Sequence, residues 1–164
     1  MIALGGNALQ RCGEPADLEH QRRILELPAI ASLLEAGILT ICAGGGGIPV
    51  VARPDGTLAG VEAVIDKDRA AALLARELHA DALLLLTDVD AVYRDWGRPE
   101  AAPIARTTPA ELEALPFAPD SMAPKVEAAC AFIRAGGRLA GIGRLEDAAA
   151  LLADRAGTRV RPAP

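Results

Sequence analysis

The chain has 164 residues and a formal charge of −5. That length fits one domain with a real core, and the acidic balance argues against nucleic-acid binding through a broad basic face. Apolar residues make up 51% of the chain and aromatics only 2%, so the core must be built from Ala, Leu, Ile and Val. The longest compact apolar run, Ala82–Leu86, is far too short to span a membrane. The opening residues turn at once to glycine and polar side chains, unlike a secretory leader. Cys12, Cys42 and Cys130 are scattered without metal-ligand spacing and read as reduced, structural thiols. A soluble cytoplasmic protein is expected, with neither a membrane nor a nucleic acid as partner and with no protein-held metal.

Ile2–Leu4 reads as a short strand entering Gly5-Gly6-Asn7. A helix is expected over Asp17–Ala36, broken or restarted at Pro28 and stopped by Gly37. A strand over Ile38–Ala43 then runs into four glycines, Gly44–Gly47. The stretch RPDGTLAG at 53–60 is turn-rich, either a hairpin or a surface loop. Asp66 is an N-cap candidate for a helix on which Ala70, Leu73, Leu74 and Leu78 share one face. ADALLLLTDVDAVY follows as an apolar strand ending in acidic residues. Thr108-Pro109-Ala110-Glu111 opens a short helix, and SMAPKVEAACAFIRAGG gives another, capped at Ser121 and stopped at Gly136-Gly137. Leu139–Ile142 reads as a strand, Leu145–Ala153 as a helix, 157–160 as a short terminal strand, and the Pro/Arg tail at 159–164 as frayed.

Strands alternating with helices predict an α/β domain with a mostly parallel sheet. Ligands of such sheets collect beyond the carboxyl ends of the strands. Four loops lie at such ends: Gly5–Asn7, Gly44–Gly47, Thr87–Asp90 and Gly141–Gly143.

A glycine pair after a strand lets backbone N–H groups approach an anion, and it also suits any tight turn. Four consecutive glycines surrender much chain entropy on folding. They suit backbone laid against a small or charged ligand, or a hinge. Fifteen of the seventeen basic residues are arginine; the two lysines are Lys67 and Lys125. A biased genome accounts for the arginines but not for the exceptions. Lysine is a compact point charge suited to a phosphate oxygen, and both lysines stand where a helix begins, the end that attracts anions. Asp66 and Asp68 flank Lys67 and are able to cap the helix, orient the lysine or bind magnesium through water. Pro124 fits the first turn that carries Lys125. Together with the glycine loops, the lysines describe a polyphosphate site, and phosphoryl transfer suits it because that chemistry needs positioning and charge neutralisation. Tyr93 and Trp96 either border a purine or pack at an edge.

ALGGNAL, CAGGGGIPVV, GVEAVIDKDRAAALLA, LLTDVDAVY and SMAPKVEAA, in this order, resemble the carbamate kinases of the amino-acid kinase family. The resemblance implies a three-layer α/β/α sandwich around a mostly parallel sheet. The reaction it implies is reversible phosphoryl transfer between ATP and carbamate, with ADP and carbamoyl phosphate on the other side, within arginine catabolism. By this resemblance Gly5, Gly6 and Asn7 face the transferred phosphoryl group, Lys67 holds phosphate oxygens, Lys125 stabilises the bridging charge, and Asp68 orients the lysines. Thr87, Asp88, Val89 and Tyr93, with Met122 and Pro124, border the nucleotide, and Gly45, Gly46 and Gly47 border the acceptor. ATP or ADP with Mg2+ is implied, as is a homodimer.

The resemblance also has a gap. The family carries a long segment, with an HGNGPQ-type loop, for which this sequence has no counterpart around His20–Ile24, and Ala123 replaces a common glycine. The expectation is a single amino-acid kinase-like domain over 1–164 lacking that segment. A non-catalytic ADP/ATP-binding remnant is the alternative. A different amino-acid kinase fits GGNAL and DKD less well, and a dinucleotide-binding domain lacks its G-x-G-x-x-G.

Overall fold

In the computed structural model, which describes residues 3–5, 8–11, 23–118 and 121–163, strands and helices alternate through two units, Ile2–Leu78 and His79–Pro164. Four of the seven strand pairings among the described residues are parallel. The fold is of the α/β class read from the sequence.

In the unit Ile2–Leu78, β1 (Ala3–Gly5) is joined in chain order by β2 (Ala8–Arg11), α1 (Leu27–Glu35), β3 (Cys42–Ala43), β4 (Pro49–Ala52), β5 (Leu58–Gly60) and α2 (Lys67–Glu77). β1 pairs parallel with β3, and β2 pairs parallel with β4, which turns back antiparallel onto β5. The turn-rich stretch at 53–60 is therefore a hairpin. The Arg53 N–H donates to the Thr57 carbonyl at 2.8 Å, and the Asp55 carboxylate accepts from the Thr57 N–H and hydroxyl at 2.9 and 2.7 Å. Pro28 lies in the first turn of α1, where its missing N–H would find no intrahelical partner anyway. It restarts a helix rather than breaking one: residues 23–26 are not helical, and 17–22 lie outside the described residues. Asp66 caps α2 as expected, its Oδ1 accepting the N–H groups of Asp68 and Arg69 at 3.0 and 2.9 Å. Ile24, Ile30, Cys42 and Leu74 bury together, with Leu27, Leu73 and Leu78 against them.

The expected strand Ile38–Ala43 is shorter than its pattern. Only Cys42–Ala43 pairs, while Ile38 and Ile41 are exposed and Leu39 is 87% exposed. β-Branched side chains favour a strand only where a neighbour exists to pair and pack against.

The unit His79–Pro164 contains β6 (Ala82–Thr87), β7 (Tyr93–Arg94), β8 (Ala102–Pro103), β9 (Arg106–Thr107), α3 (Pro109–Glu113), α4 (Met122–Arg134), β10 (Leu139–Arg144), α5 (Ala148–Leu152) and β11 (Thr158–Val160). Four strands form one sheet in the order β6-β10-β11-β9, and β7 and β8 make a separate hairpin. β6 and β10 run parallel in unbroken register from Ala82 beside Leu139 to Thr87 beside Arg144. β10 is buried at five successive residues, so both of its faces are covered. Leu151 of α5 covers the face of Gly141, where a Cβ would meet Leu84 Cδ2 at 2.8 Å and Leu151 Cδ2 at 3.4 Å; glycine lets the helix close. α4 also packs on β10 and β6, and its place is the other face, giving helix, sheet and helix in layers.

Thr108 and Glu111 form a reciprocal capping box at α3. Ser121 precedes α4 but makes no side-chain cap; instead the N–H groups of Ser121 and Ala123 both donate to the Ala118 carbonyl, at 3.3 and 3.2 Å. The helix expected over Leu145–Ala153 is a 3-10 turn, Leu145–Asp147, followed by α5. The tail expected to fray is ordered at its start. Arg159 and Val160 are buried in β11, and the Arg161 N–H donates to the Thr107 carbonyl at 3.1 Å. Among the described residues no helix is long and apolar enough to cross a membrane.

Thr158 is fully buried; its hydroxyl donates to the Ile104 carbonyl at 2.6 Å and accepts the Val92 N–H at 2.8 Å. Thr158→Val keeps the shape but strands both backbone groups. Each is expected to cost about 1–3 kcal/mol, read as a fall in urea midpoint at unchanged slope.

Candidate functional site

In the unit Ile2–Leu78 the candidate residues gather at the carboxyl ends of β1 and β3. Gly5 lies in register beside Ala43, so the Gly5 turn and the glycine loop leave adjacent parallel strands at the same end; Gly6 and Asn7 are outside the described residues. The loop is held in left-handed backbone: Ala43 has φ 74°, Gly44 44°, Gly46 131° and Gly47 95°. A non-glycine residue at Ala43 in this region is strained, and such strain concentrates at functional sites. The glycines divide in their duties. A Cβ at Gly46 would collide with the backbone carbonyl of Ile65, whereas a Cβ at Gly45 would meet nothing within 4 Å. Gly46 thus packs the loop against the segment entering α2, and Gly45 leaves its backbone open.

That segment ends at Asp66, and Lys67 is the first residue of α2. The Lys67 side chain is 60% exposed, with Nζ 3.6 Å from Asp68 Oδ2. Asp68 is buried. A carboxylate in the first turn is favoured by the helix dipole and tethers the neighbouring ammonium.

In the unit His79–Pro164 the candidates lie at the carboxyl edge of β6 and β10. Thr87 ends β6 beside Arg144, the end of β10. The Thr87 hydroxyl donates to Asp88 Oδ1 at 3.0 Å. The Tyr93 hydroxyl donates to both oxygens of Asp90 at 3.1 Å, and Trp96 meets the Tyr93 ring edge-on, centroids 5.0 Å apart. The Asp90 hydrogen bond, reinforced by desolvation, pushes the Tyr93 phenol above its ordinary range. Val89 is partly buried between these polar groups.

α4 feeds β10 through a short turn and runs back along it, so its first turn lies toward the same carboxyl edge. Met122 and Pro124 are partly buried there, and Lys125 is only 7% exposed. A lysine in that position works against two forces: burial removes its hydration, and the helix start already carries partial positive charge. Arg144 was not among the residues singled out by sequence, and the hydrogen bond between Asp90 and Tyr93 was not anticipated, although both residues lie in the stretch from Thr87 to Trp96 that was. Among the described residues no group of three or more His, Cys, Asp or Glu gathers to hold a metal.

Residues 2–144 match the amino acid kinase family. The chain belongs to that family. Within it, the chain is 52% identical over 139 residues to the carbamate kinase of Rhizobium meliloti (strain 1021), covering 84% of this chain and 43% of that protein. It is 50% identical over 137 residues to the carbamate kinase of Escherichia coli (strain K12), covering 84% of this chain and 45% of that protein. The carbamate kinase from Giardia lamblia, solved bound to AMP-PNP, superposes with a TM-score of 0.83 at 37% identity, over 86% of this chain and 50% of that one. The chain therefore spans less than half the length of these curated relatives, and as an amino acid kinase family member it presents the residues above on that part.

The two glycines separate packing from function. Gly46→Ala is expected to destabilise the fold by more than about 1 kcal/mol, because neither the φ nor the Ile65 carbonyl tolerates a side chain. Gly45→Ala should leave the melting temperature within a degree or two, and a large fall there would show the loop packed elsewhere.

Proposed function

We propose that this chain is a carbamate kinase-type phosphotransferase whose residues catalyse reversible phosphoryl transfer between ATP and carbamate, with ADP and carbamoyl phosphate as the other pair. Lys125, buried in the first turn of α4, is the observation that carries it. The half-identical carbamate kinases supply the reaction class, and the AMP-PNP complex of the Giardia lamblia enzyme supports an adenine nucleotide as ligand.

In this reading Lys125 neutralises charge on the bridging oxygen as it shifts to the leaving group. Lys67, tethered by Asp68, reaches phosphate oxygens, and the N–H groups around Gly5, Gly6 and Asn7 face the transferred group. Thr87, Asp88, Val89 and Tyr93 border the nucleotide with Met122 and Pro124, and the loop at Gly45, Gly46 and Gly47, its backbone open at Gly45, borders carbamate. Carbamate is already an anionic oxygen nucleophile, so no general base is required. Magnesium travels with the nucleotide phosphates and supplies further charge neutralisation. The work is cytoplasmic and belongs to arginine catabolism.

A second reading has its own observation: the chain covers under half of its curated relatives, which favours an ADP/ATP-binding remnant without turnover, consistent with a missing segment near 20–24. ATP formation from ADP and carbamoyl phosphate in a coupled assay supports the first reading. Binding of MgADP without turnover supports the second, and absence of both overturns the site.

Lys67→Ala and Lys125→Ala are each expected to weaken MgADP binding about tenfold to a hundredfold, the loss of a charge-assisted contact of about 1.5–3 kcal/mol. Arg76→Ala, on an exposed residue paired with Glu77, should change binding little. Isothermal titration reads all three. The homodimer belongs to the same proposal and draws support from exposed Ile38, Leu39, Ile41 and Val64; light scattering should give twice the chain mass at micromolar concentration.

A further inference from the structure

Three guanidinium groups converge on one carboxylate at the far edge of the β6-β10-β11-β9 sheet. Arg159 on β11 stands in register beside Arg106 on β9, and Arg161 follows two residues later, so all three side chains leave the same face. That face is the one α5 covers, because Arg159 is also paired with Gly141. Asp154, in left-handed backbone at φ 64° just beyond α5, receives them. Its Oδ2 accepts from Arg106 Nη2, and its Oδ1 faces Arg159 Nη1 at 3.0 Å and Arg161 Nη2 at 3.6 Å.

The stoichiometry is uneven. One negative charge meets three positive ones, leaving an excess of two on a chain whose formal charge is −5. The Arg159 side chain is 6% exposed, its Nε is committed to the Ala105 carbonyl at 3.0 Å, yet Arg159 Nη1 and Asp154 Oδ1 make no aligned hydrogen bond despite their closeness. Arg159 Nη1 is sealed from solvent and stays ion-paired with Asp154 Oδ1, so it holds the carboxylate from beneath and leaves the outer two guanidinium groups to face a ligand. The Arg106 and Arg161 side chains stay 68% and 51% exposed, so the pair is open to solvent above the buried group.

We propose that this face is an oxyanion site for a phosphate-type dianion, either inorganic phosphate or the phosphoryl group of a monoester. Charge selects it: two negative charges cancel the excess that Asp154 leaves. Geometry agrees, since planar guanidinium forks match tetrahedral oxyanions. Asp154 competes for the same donors and sets the affinity low. The site shares no residue with the nucleotide reading and does not depend on it.

The test is titration of the full chain with inorganic phosphate and, separately, methyl phosphate, at constant ionic strength with chloride as control, read by 31P line broadening. Saturable binding is expected from at least one probe; preference for methyl phosphate points to a monoester as the source, and preference for inorganic phosphate to the free ion. Arg106→Gln/Arg161→Gln, on exposed side chains, should weaken that binding at least about tenfold, and Asp154→Asn, which keeps a residue tolerant of positive φ, should tighten it several-fold. No saturable binding by either probe overturns the proposal. So does phosphate binding that survives the double arginine variant and disappears in Lys67→Ala/Lys125→Ala, which would place the anion at the lysines. Should Asp154→Asn fail to fold, the arginine variant decides alone.

Discussion

The parallel pairing of β6 with β10 carries the unit His79–Pro164. Six residues of each strand match without a break, and α4 and α5 both pack on the pair. Two consequences follow from register alone. Thr87 and Arg144 are forced side by side at the carboxyl edge, so the turn that follows β6 must place Asp88 and Asp90 there. The helix that feeds β10 must also run back toward that edge, which delivers Lys125 in its first turn. A one-residue slip would turn every buried leucine of β6 to the opposite face, and the edge would lose its polar set together with its core.

Much of this was legible because local signals and tertiary demands agree. Asp66 caps α2, Thr108 and Glu111 form their box, and the apolar run at 82–86 becomes β6. The failures share a cause. Ile38–Ile41 carry strand-forming side chains, but pairing is a property of two segments and only Cys42–Ala43 has a partner. Ser121 has the right chemistry for a cap, yet the backbone there takes φ −138° and ψ −87° and the Ala118 carbonyl gathers the free N–H groups. Arg159 falls where the strand read at 157–160 overlaps the tail read as frayed, and antiparallel pairing with β10 decides for the strand. Burial of Lys125 was not readable at all, since a lysine one turn into a helix is ordinarily solvated.

Arginine and lysine also divide their labour. The arginines described here make paired, geometric contacts: Arg134 forks onto Glu113, Arg138 reaches Asp81 at 3.3 Å, and Arg106, Arg159 and Arg161 share Asp154. The Arg134 fork holds the Glu113 carboxyl below its usual range. A planar fork rewards fixed partners, whereas an ammonium is free to follow an oxygen whose charge and position change. The two lysines stand at helix starts beside partly buried or glycine-rich backbone, which is the setting where a mobile point charge has most to do.

The cost of exposure falls unevenly over the chain. Of the twelve large apolar residues exposed among those described, nine lie in the unit Ile2–Leu78, including Ile38, Leu39 and Ile41. Among the described residues, the unit His79–Pro164 exposes Trp96, Leu145 and Leu152 and keeps eight apolar residues, from Val92 to Val160, at 0% exposure. In the unit Ile2–Leu78 the open surface concentrates where pairing stops, along the run from Ile38 to Ile41, while the glycine loop just beyond it is held in left-handed backbone.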